Sequence, residues 1–270
     1  MPTALLMTGV SMLRSFRPFS LALFATLLIG ATPTLGRAQT PAAATAVFQS
    51  LADAATRQDP KAIANLYSPS FQPPDGLDRM GYDSAMQRFW KQFPGARYTV
   101  QVLNSQPSSN GLQVETLTKI EGQRKQGDRT FKLASEIKSR WLLQNGRLQR
   151  EEILSERSRL TSGSKPPELT VNAPATVLTG ENFSFDAYVD GALNDDLLVG
   201  GVTDDPVDLQ RLLKPTAFRL QALTAGGVYK QARAPQRPGN FWISALVVRR
   251  DGLTVVSERL RVVDRTRPNR

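Results

Sequence analysis

Residues 130–157, "TFKLASEIKSRWLLQNGRLQREEILSER", read as two long strands joined by a tight turn. Phe131, Leu133, Ile137, Trp141 and Leu143 share one parity, and Lys132, Glu136, Lys138 and Arg140 share the other. A period of two belongs to a strand with one face buried. Asn145-Gly146 stands between the arms and supplies the positive φ of a two-residue hairpin turn. An arm of this length would span roughly 50 Å if straight, so the strands are expected to bend or twist around a neighbouring layer.

The preceding chain offers that layer as three amphipathic helices. Val47, Phe48, Leu51, Ala52 and Ala55 recur at helical spacing in a first helix that ends near Arg57. Asp59-Pro60 reads as an N-cap followed by proline in the first turn of a short second helix, with Ile63, Leu66 and Tyr67 on its buried side. A loop containing Pro69, Pro73, Pro74 and Gly76 follows. Asp83 or Ser84 is read as the cap of a third helix, in which Met86, Phe89, Trp90 and Phe93 form an apolar stripe ended by Pro94-Gly95. Strands are expected over 97–103 and 112–121, ahead of the hairpin. Helices first and a four-stranded antiparallel meander after them predict an α+β domain over residues 42–160.

The order and the residues resemble the nuclear transport factor 2-like, or SnoaL-like, family. "AIANLYSPSF" sits where that family has a helix ending in Leu-Tyr, and "GYDSAMQRFWKQF" resembles its Gly-x-x-Ala-[Ile/Met]-x-x-Phe-Trp helix. The resemblance implies an α+β cone fold, three helices on a curved antiparallel sheet, around an apolar pocket. Isomerases, dehydratases, cyclases and non-catalytic binding or dimerisation domains share that fold, so the fold alone does not choose an activity.

Thr161 to Pro167, small, polar and then proline-stiffened, reads as a linker. Residues 168–264 read as an all-β, immunoglobulin-like sandwich. Phe183, Phe185, Ala187 and Val189 alternate with Asn182, Ser184, Asp186 and Tyr188, and turns are marked at Gly180, Gly226-Gly227, Pro238-Gly239 and Asp251-Gly252. Residues 265–270 form a basic tail. The pairing of the two domains resembles exported cyanobacterial proteins of unassigned role.

Arg14 and Arg17 precede an apolar run, Phe19 to Ile29, and Gly36-Arg37-Ala38 places small residues where a signal peptidase reads. Residues 1–38 are therefore read as a signal peptide, with export to a periplasm, a thylakoid lumen or the cell exterior. Retention as a membrane anchor is the alternative, although the run is shorter than the ~20 residues of a membrane span. The chain contains neither cysteine nor histidine. Disulfides, thiolate or imidazole metal ligands, cysteine nucleophiles and the histidine base of a serine triad are excluded with them. The net charge is +10. Removing Arg14, Arg17 and Arg37 with the leader lowers it to about +7, dispersed rather than clustered, which reads as a solvated basic surface. Weak contact with an anionic membrane surface is the minor expectation, and nucleic acid is not expected.

Tyr67, Phe89, Trp90, Tyr98 and Trp141 are the candidate ligand-binding residues of the cone pocket, against the plainer reading that they pack a small core. Family isomerases use a carboxylate base and a hydrogen-bond donor. Here Glu115, Glu136, Glu151 and Glu152 fall on strands, with Tyr67 and Tyr98 as conceivable donors. Glu136 falls on the outward parity, and so does Glu115, although Leu117 blurs its assignment. Glu151-Glu152 must send one carboxylate to each face, and a salt bridge to Arg140 or Arg150 is the plainer role for it. Asp190, Asn194, Asp195, Asp196, Asp204, Asp205 and Asp208 crowd one region without the spacing of a calcium loop. Arg124, Lys125 and Arg129 flank a turn, and Arg265, Arg267 and Arg270 end the chain. No catalytic residue, metal ligand or cofactor is expected. The sequence leads to an exported non-catalytic binding or scaffold protein, taking a small apolar ligand or pairing with another copy or protein. An isomerase- or dehydratase-like enzyme with a pocket glutamate, or an assembly factor at an envelope or thylakoid membrane, are the alternatives.

Overall fold

The structure, a computed structural model, describes residues 41–189, 197–224 and 226–265. The expected leader, Asp190, Asn194, Asp195, Asp196, Arg267 and Arg270 lie outside the described residues. By contact density the chain divides into two units. Of the described residues, one unit takes in 41–124 together with Leu133–Glu156; the other takes in Lys125–Lys132 and those from Arg157 on.

In the first unit, helix α1 (Pro41–Thr56) buries Ala44, Phe48, Leu51, Ala52 and Ala55. Helix α2 (Pro60–Ala64) starts where expected: the Asp59 carboxylate accepts from the amides of Lys61 and Ala62, both at 3.0 Å. The segment read as a proline loop contains a strand, β1 (Tyr67–Gln72), parallel to the start of β5 (Arg147–Gly163). Pro69 hid it, because proline interrupts a ladder and is tolerated only in irregular or edge pairing; the register between the two strands shifts. Helix α3 (Arg79–Gln92) begins a turn earlier than expected, with Asp78 as the cap accepting from Gly81 N at 2.7 Å. Asp83, read as the cap, instead pairs with Arg79 one turn back, at 3.1 Å.

The meander is β2 (Arg97–Ser108), β3 (Gly111–Gln126), β4 (Arg129–Gln144) and β5. Asn145 and Gly146 turn the last hairpin with φ of 51° and 75°, the paired positive values of a type I′ turn. Along β5 the buried positions run 148, 151, 153, 156, 158, 160 and 162. Strict alternation breaks twice, so the strand changes which parity faces inward.

In the second unit β5 continues. Its residues 157–163 pair antiparallel with β13 (Gly252–Val263), from Glu258↔Arg157 to Gly252↔Gly163. β13 pairs in turn with β12 (Gly239–Arg249), and β12 with β9 (Val199–Pro206). β10 (Gln221–Ala222) lies on β9, and β7 (Thr176–Leu178) runs parallel to β13. A second sheet holds three strands in the order β11 (Gly227–Arg233), β8 (Asn182–Val189), β6 (Leu169–Asn172). The two layers close on an apolar core. Leu169, Val171, Phe185, Ala187 and Val228 come from one, and Ile243, Ala245, Val247, Val256, Leu260 and Val262 from the other. Asp208 caps a short helix, α4 (Leu209–Leu213), between β9 and β10.

This architecture corrects the expected fold class, an α+β cone with three helices followed by an immunoglobulin-like sandwich. The described residues are mostly β, with 57% strand and 19% helix. Ten strands belong to one hydrogen-bonded sheet with the main order β10-β9-β12-β13-β5-β4-β3-β2. Among the described residues there are four α-helices, of 5 to 16 residues. The physical reason lies in β5. Thr161, Ser162 and Gly163 have linker composition, yet β13 hydrogen-bonds to them, and pairing overrides local propensity.

Candidate functional site

Two strand glutamates of the first unit are buried, Glu151 at 3% and Glu156 at 4% exposure, and of the four glutamates singled out from the sequence Glu151 is the one that faces inward. The first break in the β5 alternation places Glu151 there: counted strictly from buried Leu148, position 151 would face out. The Tyr82 hydroxyl, on α3, donates to Glu151 Oε2 at 3.1 Å, and Ser139 Oγ, on β4, donates to Oε1 at 2.8 Å. Two hydroxyls thus engage the two carboxylate oxygens, the condition under which a buried charge is tolerated. Burial pushes the Tyr82 phenol well above its ordinary pKa, and the neighbouring Glu151 carboxylate adds to the shift. Burial also raises Tyr67, on β1, with Tyr82 and Glu151 as lesser causes. Both phenols therefore stay protonated, and Tyr82 is the one that donates to Glu151. Asp83, at the outer side of α3, is raised by burial against the lowering effect of Arg79.

The five aromatic candidates are all buried in this unit, none more than 6% exposed. Tyr67 packs edge-on against Phe71, centroids 3.8 Å apart, and lies 6.3 Å from Trp141, which meets Phe48 at 5.6 Å. Phe89 meets Phe93 and Tyr98 at 5.3 and 6.3 Å. The polar tips are used internally: Trp90 Nε1 donates to the Tyr98 hydroxyl at 3.2 Å, and Trp141 Nε1 to Thr116 Oγ1 at 3.0 Å. Tyr98 stands apart from Glu151's two donors and hydrogen-bonds Trp90. Tyr82 and Ser139 are the partners that sequence reasoning missed. Ser139 shares the inward parity of Ile137 and Trp141, which was a legible signal.

The other three candidate glutamates face outward. Glu115 meets Arg140 at 2.9 Å and Lys138 at 3.1 Å, Glu152 meets Arg140 at 3.4 Å, and Glu136 meets Lys119 at 2.9 Å. Lys138 and Arg140 hold the Glu115 carboxyl below its ordinary pKa. Arg124 lies over the Phe93 ring at 5.1 Å, and burial lowers its pKa to about 10. Of the acidic cluster, Asp205 is buried and accepts from Thr216, and Asp208 accepts from Arg211 N at 2.7 Å. Among the described residues no group of acidic side chains is placed to hold a metal ion.

An open cleft lies in the second unit, at the edge where β11 faces β9. It encloses about 150 Å³ and is floored by Phe183, Phe185, Phe241, Ile243 and Leu260, with Asp204, Lys230 and Arg233 at its mouth. A wider neighbouring cleft of about 420 Å³ shares Val202, Asp204 and Lys230 and is otherwise lined by β9, Val228 and residues within 216–221. Lys230 follows the parity of buried Val228, so it points between the layers from an edge strand. Asp204 lies opposite Ile243 in the β9–β12 register and faces the same space. Phe183 and Phe241 are only partly buried. Of the cleft residues only Asp204 was singled out from the sequence, as part of the acidic cluster, though a lysine on the inward parity of β11 was a readable irregularity.

Residues 164–263 match a protein family described as a domain of unknown function, DUF8623. No curated protein matches the chain. Among solved structures, the X-ray crystal structure of RV0760c from Mycobacterium tuberculosis is similar at 16% identity and a TM-score of 0.28, over 43% of this chain and 92% of that one. Likeness of that degree carries no inference about fold or activity. Among the described residues no helix is long and apolar enough to cross a membrane.

Proposed function

We propose that this is an exported, non-catalytic binding protein whose ligand site is the cleft of the second unit. One observation carries the reading: the groups that would do chemistry in the first unit are engaged by the protein itself, with a hydroxyl on each oxygen of Glu151. The cleft, in contrast, brings the partly buried Phe183 and Phe241 to an open surface beside charged side chains, an apolar lining with a few polar groups as in small-molecule sites. The export signal read from residues 1–38 supplies the compartment.

The enzyme reading retains one specific support, a desolvated carboxylate beside two phenols, the kind of environment in which bases are tuned. An enolisable ketone such as cyclohexanone in deuterium oxide separates the two. Proton NMR is expected to show its α-hydrogens exchanging no faster with the protein than with buffer. Exchange that the protein accelerates and that Glu151→Gln abolishes would overturn the binding-protein reading in favour of a proton-transfer enzyme. The positive test is a ¹H–¹⁵N titration with toluene, expected to move the amide signals of Phe183, Phe241 and Lys230 saturably.

A further inference from the structure

We infer that the cleft recognises a zwitterion carrying a single apolar side chain, an α-amino acid or the equivalent end group. The inference rests on the cleft being the ligand site and goes on to name what enters it. The cleft has room for one ring: its ~150 Å³ is about the volume that holds benzene, and Phe183, Phe185, Phe241, Ile243 and Leu260 supply the apolar part of its lining.

The mouth carries opposite charges from facing layers. Asp204 comes from β9, whereas Lys230 and Arg233 come from β11. Among the described residues neither Asp204 nor Lys230 takes part in an ion pair. Arg233 falls on the other parity of β11 and is tied down at the rim, its Nε donating to the Gly180 carbonyl at 3.1 Å, so Lys230 is the cation that faces Asp204's side of the cleft. A neutral apolar ligand would use none of these groups. A simple carboxylate would approach Asp204 as well as the cations, and a simple amine would approach the cations as well as Asp204. A molecule with an ammonium for Asp204, a carboxylate for Lys230, and a ring for the apolar side chains matches the mouth without placing like charges together.

The test compares L-phenylalanine with 3-phenylpropionate, which lacks the ammonium, and phenethylamine, which lacks the carboxylate, by ¹H–¹⁵N chemical-shift titration of the protein. L-Phenylalanine is expected to bind at least tenfold tighter than either analogue, with saturable shifts at Phe183, Lys230 and Phe241. Asp204→Asn is expected to bind 3-phenylpropionate as well as it binds L-phenylalanine. Lys230→Met is expected to narrow the gap between L-phenylalanine and phenethylamine; should that variant self-associate, Asp204→Asn carries the comparison alone. Equal affinities for the three probes, or an Asp204→Asn variant that keeps the full preference for L-phenylalanine, would refute the zwitterion assignment. If toluene binds and L-phenylalanine gains nothing over it, the cleft remains a ligand site for another class. If no probe binds, both proposals fail.

Discussion

Two adjacent glutamates on β5 show how finely the backbone sorts identical side chains. Glu152 faces out and meets Arg140, whereas Glu151 faces in and accepts from Tyr82 and Ser139. Removing the Tyr82 hydroxyl leaves one oxygen of a buried carboxylate short of a donor, at a cost of about 1–3 kcal/mol. Tyr82→Phe is therefore expected to lower stability by that amount in urea unfolding, with the slope unchanged. A loss below a few tenths of a kcal/mol would mean that the hydroxyl does not support the acid.

A second residue-scale expectation concerns pH. Burial raises the Glu258 carboxyl above its ordinary pKa, opposed by Arg157 at 3.4 Å. A raised acid favours the native state most when it is protonated in both states. Its contribution is complete below the unfolded pKa and is lost as pH rises through the folded one. Glu258→Gln is expected to gain melting temperature relative to the parent between pH 4 and pH 8; a difference that stays flat or falls contradicts the burial effect. For Glu115 the sign reverses, because Lys138 and Arg140 lower its pKa. Its support is present at neutral pH and lost on acidification, and as an outer-face pair it is weakened by salt.

At the scale of elements, turn chemistry and caps were the most legible features. Asn145-Gly146 turns a hairpin and Asp59 caps α2, because both depend on residues a few positions apart. The start of α3 was misplaced by a turn because Asp78 and Asp83 both have cap chemistry, and only the fold decides which faces free amides. Glu151 could be narrowed to one of a pair but no further, since the break in β5 alternation follows from its neighbours and not from its own residues. The cleft was not legible at all: it needs β9 and β11, 20 or more residues apart, to face each other. A sharp test of the strands is Gly111, with a φ of 136°. A Cβ there would be driven into the Leu143 carbonyl, so Gly111→Ala is expected to destabilise by more than the ~1 kcal/mol of an ordinary glycine replacement. A neutral effect in thermal melts would mean that β3 does not approach β4 this closely.

For the molecule as a whole, the correction to the fold turns on whether residues 161–163 are linker or ladder. Native-state hydrogen exchange distinguishes them. The amides that bond across the β5–β13 pairing, within 157–163 and 252–258, are expected to exchange slowly and together. Fast exchange confined to 161–163 would restore a hinge at that point. The family match begins at residue 164, just past this strand, so its boundary omits the seven β5 residues that β13 pairs with.

The inward lysine of β11 bears on how the protein behaves when crowded. β11 ends its sheet, and a bare strand margin invites copies of the chain to add on, strand by strand, toward fibrils. A newcomer stacking there would have to press an apolar side chain against the Lys230 ammonium or strip it of water, so growth stops at the first step. Concentrated solutions of the parent are expected to stay clear while Lys230→Val turns cloudy and binds thioflavin, a contrast that light scattering would read directly.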